Sequence, residues 1–332
     1  MMGPKRGSLT SEYSIGTSWL AMQNSAEMKL QPWMIPADLA PGDAKSLQRD
    51  WTDVDLHRIE STADSLFPVA FGALWSEFGA IGEIEQPDVL GLRMGWDPSR
   101  IVEGAAMRYR MMLVTSGGGF AAVRDHTAIL LEDEPGVVVH LSHNLVAPEW
   151  RRTGLAGWLR ALPVTTARTL LSLQSRAPDS PITLVGEMEH PDASDPATHV
   201  RLAAYEKAGY KKVDPSQVGY LQPDFRAHHE IDRSGGPQPI PLGLIIRKVG
   251  RENDDQITGA EVRRIARSLY KMYGTGFRTK DMEVVHDSLE QYPAPDKNIP
   301  LLPPTATEAK SCSAPPDSGN SVYSVSSPPP PR

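Results

Sequence analysis

Residues 146–159, VAPEWRRTGLAGWL, constrain the fold of this chain more than any other segment. The apolar run before them stops at Pro148, which cannot donate to a sheet ladder and therefore marks the end of a strand. Small residues follow from Gly154, and the apolar spacing beyond them predicts a helix that reaches Leu173. A strand that passes directly into a helix is typical of a layered α/β domain, in which helices pack on the face of a sheet.

Apolar periodicity predicts further elements on both sides of this junction. Residues 109–115 and 120–131 have the composition of strands, and the glycine run between them predicts a hairpin turn rather than a phosphate-binding loop. Pro163 is expected to kink the helix after Gly154 or to end it early. Further strands are expected over residues 137–146, 182–187 and 242–248, and helices over residues 53–66, 69–78 and 196–208. The order of elements predicts a mixed α/β fold of the layered α+β kind.

Composition limits the class of protein. The chain of 332 residues is 40% hydrophobic, which is enough for a core, and no apolar run approaches the length of a membrane-spanning helix. A net charge of −7 argues against a general nucleic-acid-binding protein. The single cysteine, Cys312, can form neither an internal disulfide nor a cysteine-rich metal site. We therefore expect a protein of a reducing compartment, the cytoplasm, with neither nucleic acid nor membrane as a partner.

Four parts are expected along the chain. Residues 1–32 form a flexible N-terminus, and residues 33–250 form the main domain. Residues 251–292 form a helical extension, because Thr258 begins a capping-box pattern ahead of an apolar stripe. Residues 293–332 are rich in proline and serine and have little to bury, so we expect a disordered tail that is either inert or a polyproline ligand.

The start of the helix at Gly154 has the features of an anion-binding pocket. Backbone N–H groups in a first helical turn have no partner within the helix, and the helix dipole adds positive potential there. Gly154, Ala156 and Gly157 leave room for a phosphate, while Arg151 and Arg152 add positive charge beside it. The pattern is neither G-x-G-x-x-G nor G-x-x-x-x-G-K-[ST], so we expect a pyrophosphate that is bound in another way.

Two motifs, in order along the chain, resemble those of the GNAT superfamily of N-acetyltransferases. Residues 151–156, RRTGLA, match the pattern Q/R-x-x-G-x-G/A and follow a V-x-P at residues 146–148. About fifty residues on, residues 204–210, AYEKAGY, are similar to the family's Y-E-K-x-G-F/Y segment. The resemblance extends over residues 109–249, and it implies a mostly antiparallel central sheet that is flanked by helices and splayed at an acyl-CoA wedge.

The resemblance also implies a set of ligand contacts and a reaction. Acetyl-CoA, or another acyl-CoA, lies in the wedge, and an acetyl group passes by direct attack to the amine of an acceptor, which we expect to be a small molecule. Tyr205 is implied as the general acid that protonates the leaving thiolate, unless it only packs against the core. The implied contacts come from Arg151, Arg152, Thr153, Gly154, Leu155 and Ala156 to the pyrophosphate, and from Asn144, Leu145 and Val146 to the pantetheine arm.

The motifs do not fix the general base. Period-two alternation puts Glu187 and Glu189 on one face near the wedge, where they serve either as a base and its partner or as two solvated carboxylates. His140 and His143 are expected on opposite faces, so that only one of them can reach the wedge. His143 is then a candidate for a catalytic or substrate-orienting group.

Two further expectations concern ligands and partners. No metal site is expected, because the run from His228 to Glu230 lacks a third ligand at zinc-type spacing. The protein is expected to be a monomer or a homodimer. The alternative to an enzyme is a non-catalytic module of the same fold that binds acyl-CoA without turnover.

Overall fold

The computed structural model describes residues 27–30, 38–80, 82–190 and 196–307. These residues form twelve strands in one sheet and seven α-helices. The strands are β1 (Glu27–Lys29), β2 (Val54–Ile59), β3 (Ala105–Ser116), β4 (Gly119–Leu131), β5 (Val137–His140), β6 (Asn144–Val146), β7 (Ile182–Met188), β8 (Lys211–Val213), β9 (Tyr220–Gln222), β10 (Ile240–Lys248), β11 (Gln256–Thr258) and β12 (Asn298–Leu302). The helices are α1 (Phe67–Phe78), α2 (Pro87–Met94), α3 (Leu155–Leu173), α4 (Pro196–Lys207), α5 (His228–Arg233), α6 (Gly259–Tyr273) and α7 (Thr279–Ser288).

The sheet is mixed and mostly antiparallel. Its strands follow the order β1-β2-β3-β4-β5-β7-β10-β8-β12-β11, with β6 beside β4 and β9 beside β10. Among the described pairings only that of β5 with β7 is parallel, and α3 supplies the crossover that a parallel neighbour requires. With helices on both of its faces, this sheet confirms the predicted fold class.

Helices cover both faces because neighbouring residues of a strand point to opposite sides of a sheet. Val138 of β5 packs in a cluster with α6 and α7, whereas Val139 packs in a cluster with α3 and α4. Helices α1 and α2 lie on the same face as α6, where they contact Val123 of β4. The candidate site lies at the ends of β5 and β7.

Residues 53–66, predicted as a helix, contain strand β2 instead. Val54 and Leu56 are fully buried, while Asp55 and His57, which directly follow them, are half-buried; this is the period-two pattern of a strand. Pairing with β1 on one side and β3 on the other makes β2 an interior strand. Apolar residues at positions 56 and 59 also fit a helical period, so the pattern of so short a run could not separate the two structures.

The strand predicted over residues 137–146 is interrupted by a β-bulge. His140 and Asn144 pair with Thr127 and Arg124 of β4, so three residues on one strand are opposite two on the other. The extra residue reverses the alternation of side chains. His140 and His143 consequently face the same side of the sheet, and the prediction that they lie on opposite faces is wrong.

Helix α3 continues past Pro163 to Leu173, so of the two effects expected at that proline, a kink or an early end, the early end does not occur. Residues on both sides of Pro163, such as Leu159 and Leu170, are fully buried against the sheet. This packing holds the helix together where one backbone hydrogen bond is lost. The predicted hairpin, the strands at 182–187 and 242–248 and the helices at 69–78 and 196–208 are all present, with ends shifted by up to four residues.

The helical extension is present and begins with the predicted capping box. The Thr258 hydroxyl accepts from the amide of Glu261 at 3.2 Å, and the Glu261 carboxylate accepts from the amide of Thr258 at 3.0 Å. The apolar side of α6 then packs into the core beside β4 and β5. None of the helices in the described ranges is both long and apolar enough to cross a membrane.

The residues after the extension belong to the sheet. Strand β12 lies between β8 and β11, and its second residue, Ile299, is fully buried. The prediction of a disordered tail from residue 293 is therefore wrong as far as residue 307. Strand β1 likewise falls within the segment that was expected to be flexible. The rest of the two predicted termini, residues 1–26, 31–32 and 308–332, lies outside the described residues.

A truncation tests the role of β12. A chain that ends at residue 297 lacks the strand, and we expect it to melt at a lower temperature than a matched chain that ends at residue 307. Ile299 and Leu301 are almost completely buried, and burying one such side chain stabilises a protein by about 1.5–3 kcal/mol. Thermal unfolding followed by circular dichroism measures the difference, and equal midpoints for the two chains would contradict it.

Candidate active site

A cleft lies between β6 and the end of β7, because these two strands do not pair with each other. Strand β5 pairs with β7 as far as His140 and Val185, but β6 pairs only with β4, and the end of β7 pairs only with β10. In the part of the chain that the structure describes, no strand fills the space between β6 and the end of β7. The cleft at this opening has a volume of about 380 Å³ and includes residues of α1, α3, α4 and α6.

The turn between β6 and α3 has an unusual backbone conformation. Arg152 has φ 65° and Gly154 has φ 102°, so both lie in the left-handed region, which glycine adopts more readily than other residues. The amides of Arg151 and Thr153 donate within the turn, to Pro148 and Trp150. Among the described residues, the amides of Arg152 and Ala156 have no hydrogen-bond acceptor, which leaves them available to an anion at the start of α3.

Strand β6 borders the cleft with its free edge. Its carbonyl at Val146 accepts from Nε of Arg151 at 3.2 Å, so the arginine lies across this edge. The side-chain oxygen of Asn144 is buried and has no hydrogen-bond partner among the described residues. Leu145 and Val146 turn their side chains into the core. An unpaired edge and an unsatisfied acceptor fit the amide groups of a pantetheine arm.

Tyr205 of α4 lies at the same cleft. Ala156 and Ala204 line the cleft beside it, and its half-buried ring makes an edge-to-face contact with Tyr210 at 5.0 Å between ring centres. The described residues offer no hydrogen-bond partner to the Tyr205 hydroxyl. Arg160 of α3 completes this wall and is held in place by the carboxylate of Asp43.

Glu187 faces the cleft but is held by four donors. Its carboxylate accepts from the hydroxyls of Tyr220 and Tyr273. It also accepts from Nε2 of His140 at 2.8 Å and from the side-chain amide of Gln222 at 3.4 Å. Burial raises the pKa of Glu187, but His140 and the hydroxyl donors outweigh it and keep this pKa below its ordinary value. A carboxylate engaged in this way is a poor proton acceptor.

Glu189 lies at the mouth of the cleft, as the period-two spacing from Glu187 predicted. Its carboxylate forms an ion pair with Arg201 of α4 at 2.6 Å, and 48% of the Glu189 side chain is exposed. The structure therefore brings Glu187, Glu189 and Tyr205 to one cleft, but it gives the two carboxylates different surroundings. Their roles in a reaction stay predictions.

His143 forms a buried ion pair with Asp125. Its Nδ1 lies 2.9 Å from the Asp125 carboxylate, and its Nε2 donates to the backbone carbonyl of Glu83 at 2.9 Å. Burial lowers the pKa of His143, but the Asp125 charge and both hydrogen bonds outweigh it and raise this pKa to about 9. Burial likewise opposes ionisation of Asp125, yet the imidazolium lowers the pKa of Asp125 to about 2. His143 is a fixed cation rather than a base.

The segment between α1 and α2 adds two acids that the sequence analysis missed. Glu85 forms an ion pair with Arg93, whose side chain is 1% exposed. Glu83 is half-buried in the wall of the cleft, and both burial and the nearby charge of Glu189 raise its pKa. No motif marks these residues, because Glu83 meets the cleft through contacts with His143, 60 residues away in sequence.

The charges and ring systems of the cleft favour a cationic ligand. Its lining carries five glutamates against two arginines and the His143 imidazolium. Aromatic walls face the same space and are formed by Phe78, Phe225 and Tyr273. Within the described residues, no group of three or more His, Cys, Asp and Glu side chains is placed to hold a metal ion.

Comparison with known proteins gives remote structural similarities. No protein-family model matches the sequence, and the search of curated proteins finds no match. A GCN5-related glucosamine N-acetyltransferase region of a fungal multi-domain GH3 β-N-acetylglucosaminidase is 15% identical, with a TM-score of 0.34 over 54% of this chain and 20% of the other. The chain thus spans about a fifth of the length of that enzyme.

Two further structures are similar at the same level. A tandem GNAT protein from the clavulanic acid biosynthesis pathway is 17% identical, with a TM-score of 0.32 over 72% of this chain and 64% of the other. A putative acetyltransferase of the GNAT family from Desulfovibrio desulfuricans is 16% identical, with a TM-score of 0.33 over 59% and 99%. Their descriptions name the family that the two motifs resemble.

The Asp125–His143 pair predicts how stability depends on pH. The pKa of His143 is raised from 6.5 to about 9, so its contribution is complete below pH 6.5 and is lost as the pH rises through 9. The pKa of Asp125 is lowered from 3.8 to about 2, so its contribution is present above pH 3.8 and is lost as the pH falls through 2. The pair therefore stabilises the fold most between these limits.

Asp125→Asn tests this window. Breaking a buried ion pair costs about 3–5 kcal/mol, so we expect the free energy of unfolding to fall by this amount near pH 6. The variant should also lose the decline in stability that the wild type has between pH 6.5 and 9. Urea unfolding at a series of pH values measures both effects. Asp133→Asn, which removes an exposed partner of Arg267, is the control and should change little. A wild-type profile for Asp125→Asn would contradict the pairing.

Proposed function

We propose that this protein is an acetyl-CoA-dependent N-acetyltransferase that acts on the amine of a small molecule. One observation carries the proposal: the sheet opens between β6 and β7, and Ala156 of the first motif and Tyr205 of the second line the cleft at this opening. Carboxylates and aromatic rings line the rest of the same cleft. A donor bound at the first motif and an amine bound among these side chains would meet at the opening.

The CoA side of the cleft suits a long anionic donor. The amides of Arg152 and Ala156, with the positive end of the α3 dipole behind them, would hold the pyrophosphate. The edge of β6 and the side-chain oxygen of Asn144 would pair with the amides of the pantetheine arm. The donor supplies an acyl group activated as a thioester. We therefore expect the pyrophosphate to contact these two amides and the neighbouring arginines, rather than every residue from 151 to 156.

Tyr205 is proposed as the general acid. The amine nitrogen forms a bond to the acyl carbon, the carbon–sulfur bond breaks, and the departing sulfur takes the proton of the Tyr205 hydroxyl. The Tyr205 oxygen then takes the proton that the nitrogen loses as it becomes an amide. A hydroxyl with no partner among the described residues is free to turn toward the sulfur. The contact with Tyr210 fixes the plane of the Tyr205 ring but leaves the hydroxyl free.

The acceptor is proposed to be a small cationic amine. Five glutamates in the lining attract an ammonium group, and the rings of Phe78, Phe225 and Tyr273 offer faces on which a cation can lie. The size of the cleft, about 380 Å³, suits a small molecule.

CoA release with acetyl-CoA and a panel of amines, such as glucosamine, sisomicin and tyramine, tests the activity. Stabilisation by acetyl-CoA without CoA release from any amine would support the non-catalytic module instead.

Ala156→Glu tests the pyrophosphate site. A carboxylate in the first turn of α3 is compatible with the helix dipole, so the fold should remain stable. It would place a negative charge beside the phosphates, and like charges in contact cost several kcal/mol, so we expect affinity for acetyl-CoA to fall by about a hundredfold or more. Isothermal titration calorimetry measures the affinity. Val200→Glu, on the exposed side of α4, adds the same charge elsewhere and should bind normally. Unchanged binding by Ala156→Glu would refute the site.

Tyr205→Phe tests the general acid. The ring and its packing remain, so stability and acetyl-CoA affinity should change little, while kcat falls roughly 10- to 1,000-fold because the hydroxyl acts mainly in the transition state. Tyr210→Phe removes the hydroxyl of the neighbouring ring and should leave kcat unchanged. Steady-state kinetics with the best acceptor compare the two variants. Full activity of Tyr205→Phe would leave this residue with a packing role only.

A further inference from the structure

The segment that carries Glu83 is anchored to the fold on both sides of this residue. The amide of Glu83 donates to the carbonyl of Phe78 at the end of α1, and its own carbonyl accepts from Nε2 of His143 at 2.9 Å. Two residues on, Glu85 is tied to buried Arg93. The backbone of Glu83 is therefore held by a helix end and by two buried ion pairs, so its side chain projects from a fixed position in the cleft wall.

The other acids that line the cleft are engaged or lie outside. Glu85 is paired with Arg93 and Glu189 with Arg201, and Glu187 accepts four hydrogen bonds. Glu77 lies on the exposed side of α1. In the described part of the chain, no hydrogen bond or ion pair engages the half-buried carboxylate of Glu83. It is the acid in this lining that combines partial burial with a free carboxylate.

We propose that Glu83 is the general base of the acetyl transfer. This inference rests on the proposed function. The acceptor enters as an ammonium ion, and one N–H proton passes to a carboxylate oxygen of Glu83. The freed lone pair of the nitrogen then forms the bond to the acyl carbon as the carbon–sulfur bond breaks. The departing sulfur takes the proton of the Tyr205 hydroxyl, and the second N–H proton that the nitrogen loses after it bonds to the acyl carbon returns to the Tyr205 oxygen. Of the two protons that leave the nitrogen, one is therefore held by Glu83 and the other restores Tyr205.

The charges around Glu83 suit this role. Glu189 at the end of β7, Glu77 on α1 and Glu85 in the same segment are anionic, while Arg201 on α4 and the His143 imidazolium are cationic. Burial and the charge of Glu189 together raise the pKa of Glu83. A carboxylate with a raised pKa accepts a proton from an ammonium ion more readily, since a base works best when its pKa approaches the working pH. Glu187, whose pKa is lowered, is disfavoured by the same reasoning.

Glu83→Gln, with Glu283→Gln on the exposed side of α7 as the matched control, tests the assignment through the pH dependence of kcat/KM for the best amine of the panel. We expect the wild type to lose activity below the pKa of Glu83. Glu83→Gln should reduce kcat by roughly 100-fold near pH 7, within the range for a general base. The kcat/KM of Glu83→Gln should then rise tenfold for each unit of increasing pH, because the fraction of unprotonated amine rises by that factor. Glu283→Gln should keep the wild-type rate and pH profile. Glu189→Gln should move the loss of activity at low pH to lower pH values, because a negative charge beside Glu83 is gone.

The outcomes separate this inference from the proposed function. Acetyl-CoA affinity, measured by calorimetry, should be the same for all three variants and the wild type, since Glu83 lies on the acceptor side. If Glu83→Gln still loses activity at low pH as the wild type does, and keeps a kcat within threefold of the wild type, another group is the base. The assignment of Glu83 is then overturned, while the proposed function is not. If the wild type binds acetyl-CoA but releases no CoA with any amine, the proposed function is overturned and the assignment with it.

Discussion

The single extra residue in the bulge between β5 and β6 is the constraint on which the rest of the site depends. Before the bulge the chain is hydrogen-bonded to β4 and β7 at once, and after it the chain follows β4 alone. The separation creates the cleft and frees one edge of β6. It also turns His140 and His143 to the same side, where one contacts Glu187 and the other contacts Asp125. A regular strand would close the opening and bring only one histidine to this face.

Glu187 connects this opening to parts of the chain far away in sequence. Its donors come from β5, β9 and α6, so a residue of β7 joins four elements through one carboxylate. Hydrogen bonds to a charged group contribute about 1.5–3 kcal/mol each, and they hold Tyr273 in the wall of the cleft. Tyr273 in turn contacts Phe225, Phe277 and Arg93. The extension that was expected to be an addition to the main domain thus forms part of the site wall.

The sequence predicted the parts of the fold in which one period extends over many residues. The hairpin of β3 and β4, helix α3 and the capping box of α6 are of this kind. Strands of three residues, such as β8 and β11, are too short for a period to emerge, and β12 lies in a segment whose proline content indicated disorder. The bulge could not be foreseen, because it depends on pairing with β4 rather than on the composition of residues 137–146.

The same contrast applies to the site. Local motifs indicated the turn before α3 and pointed to Tyr205, since both depend on residues adjacent in sequence. They also pointed to Glu187 and Glu189, but not to the different hydrogen-bond and ion-pair partners that distinguish these two carboxylates. Glu83 was missed because its charge surroundings come from His143, Glu189 and Arg201, which lie in three other parts of the chain. Charge surroundings of this kind exist only once the sheet and helices are assembled.

The position of β12 has a consequence for how the protein is made. The strand lies between β8 and β11, so the edge of β8 has no neighbour on that side until residues 298–302 have been synthesised. Helix α6, which completes the wall of the cleft, also comes late in the chain. A nascent chain that has emerged only as far as β10 would expose an unpaired strand and an apolar sheet face, both of which promote association with other chains. Slow translation of the segment between β10 and β12 would prolong this state, and folding in the cell would then depend on chaperones that shield such surfaces until synthesis has passed β12.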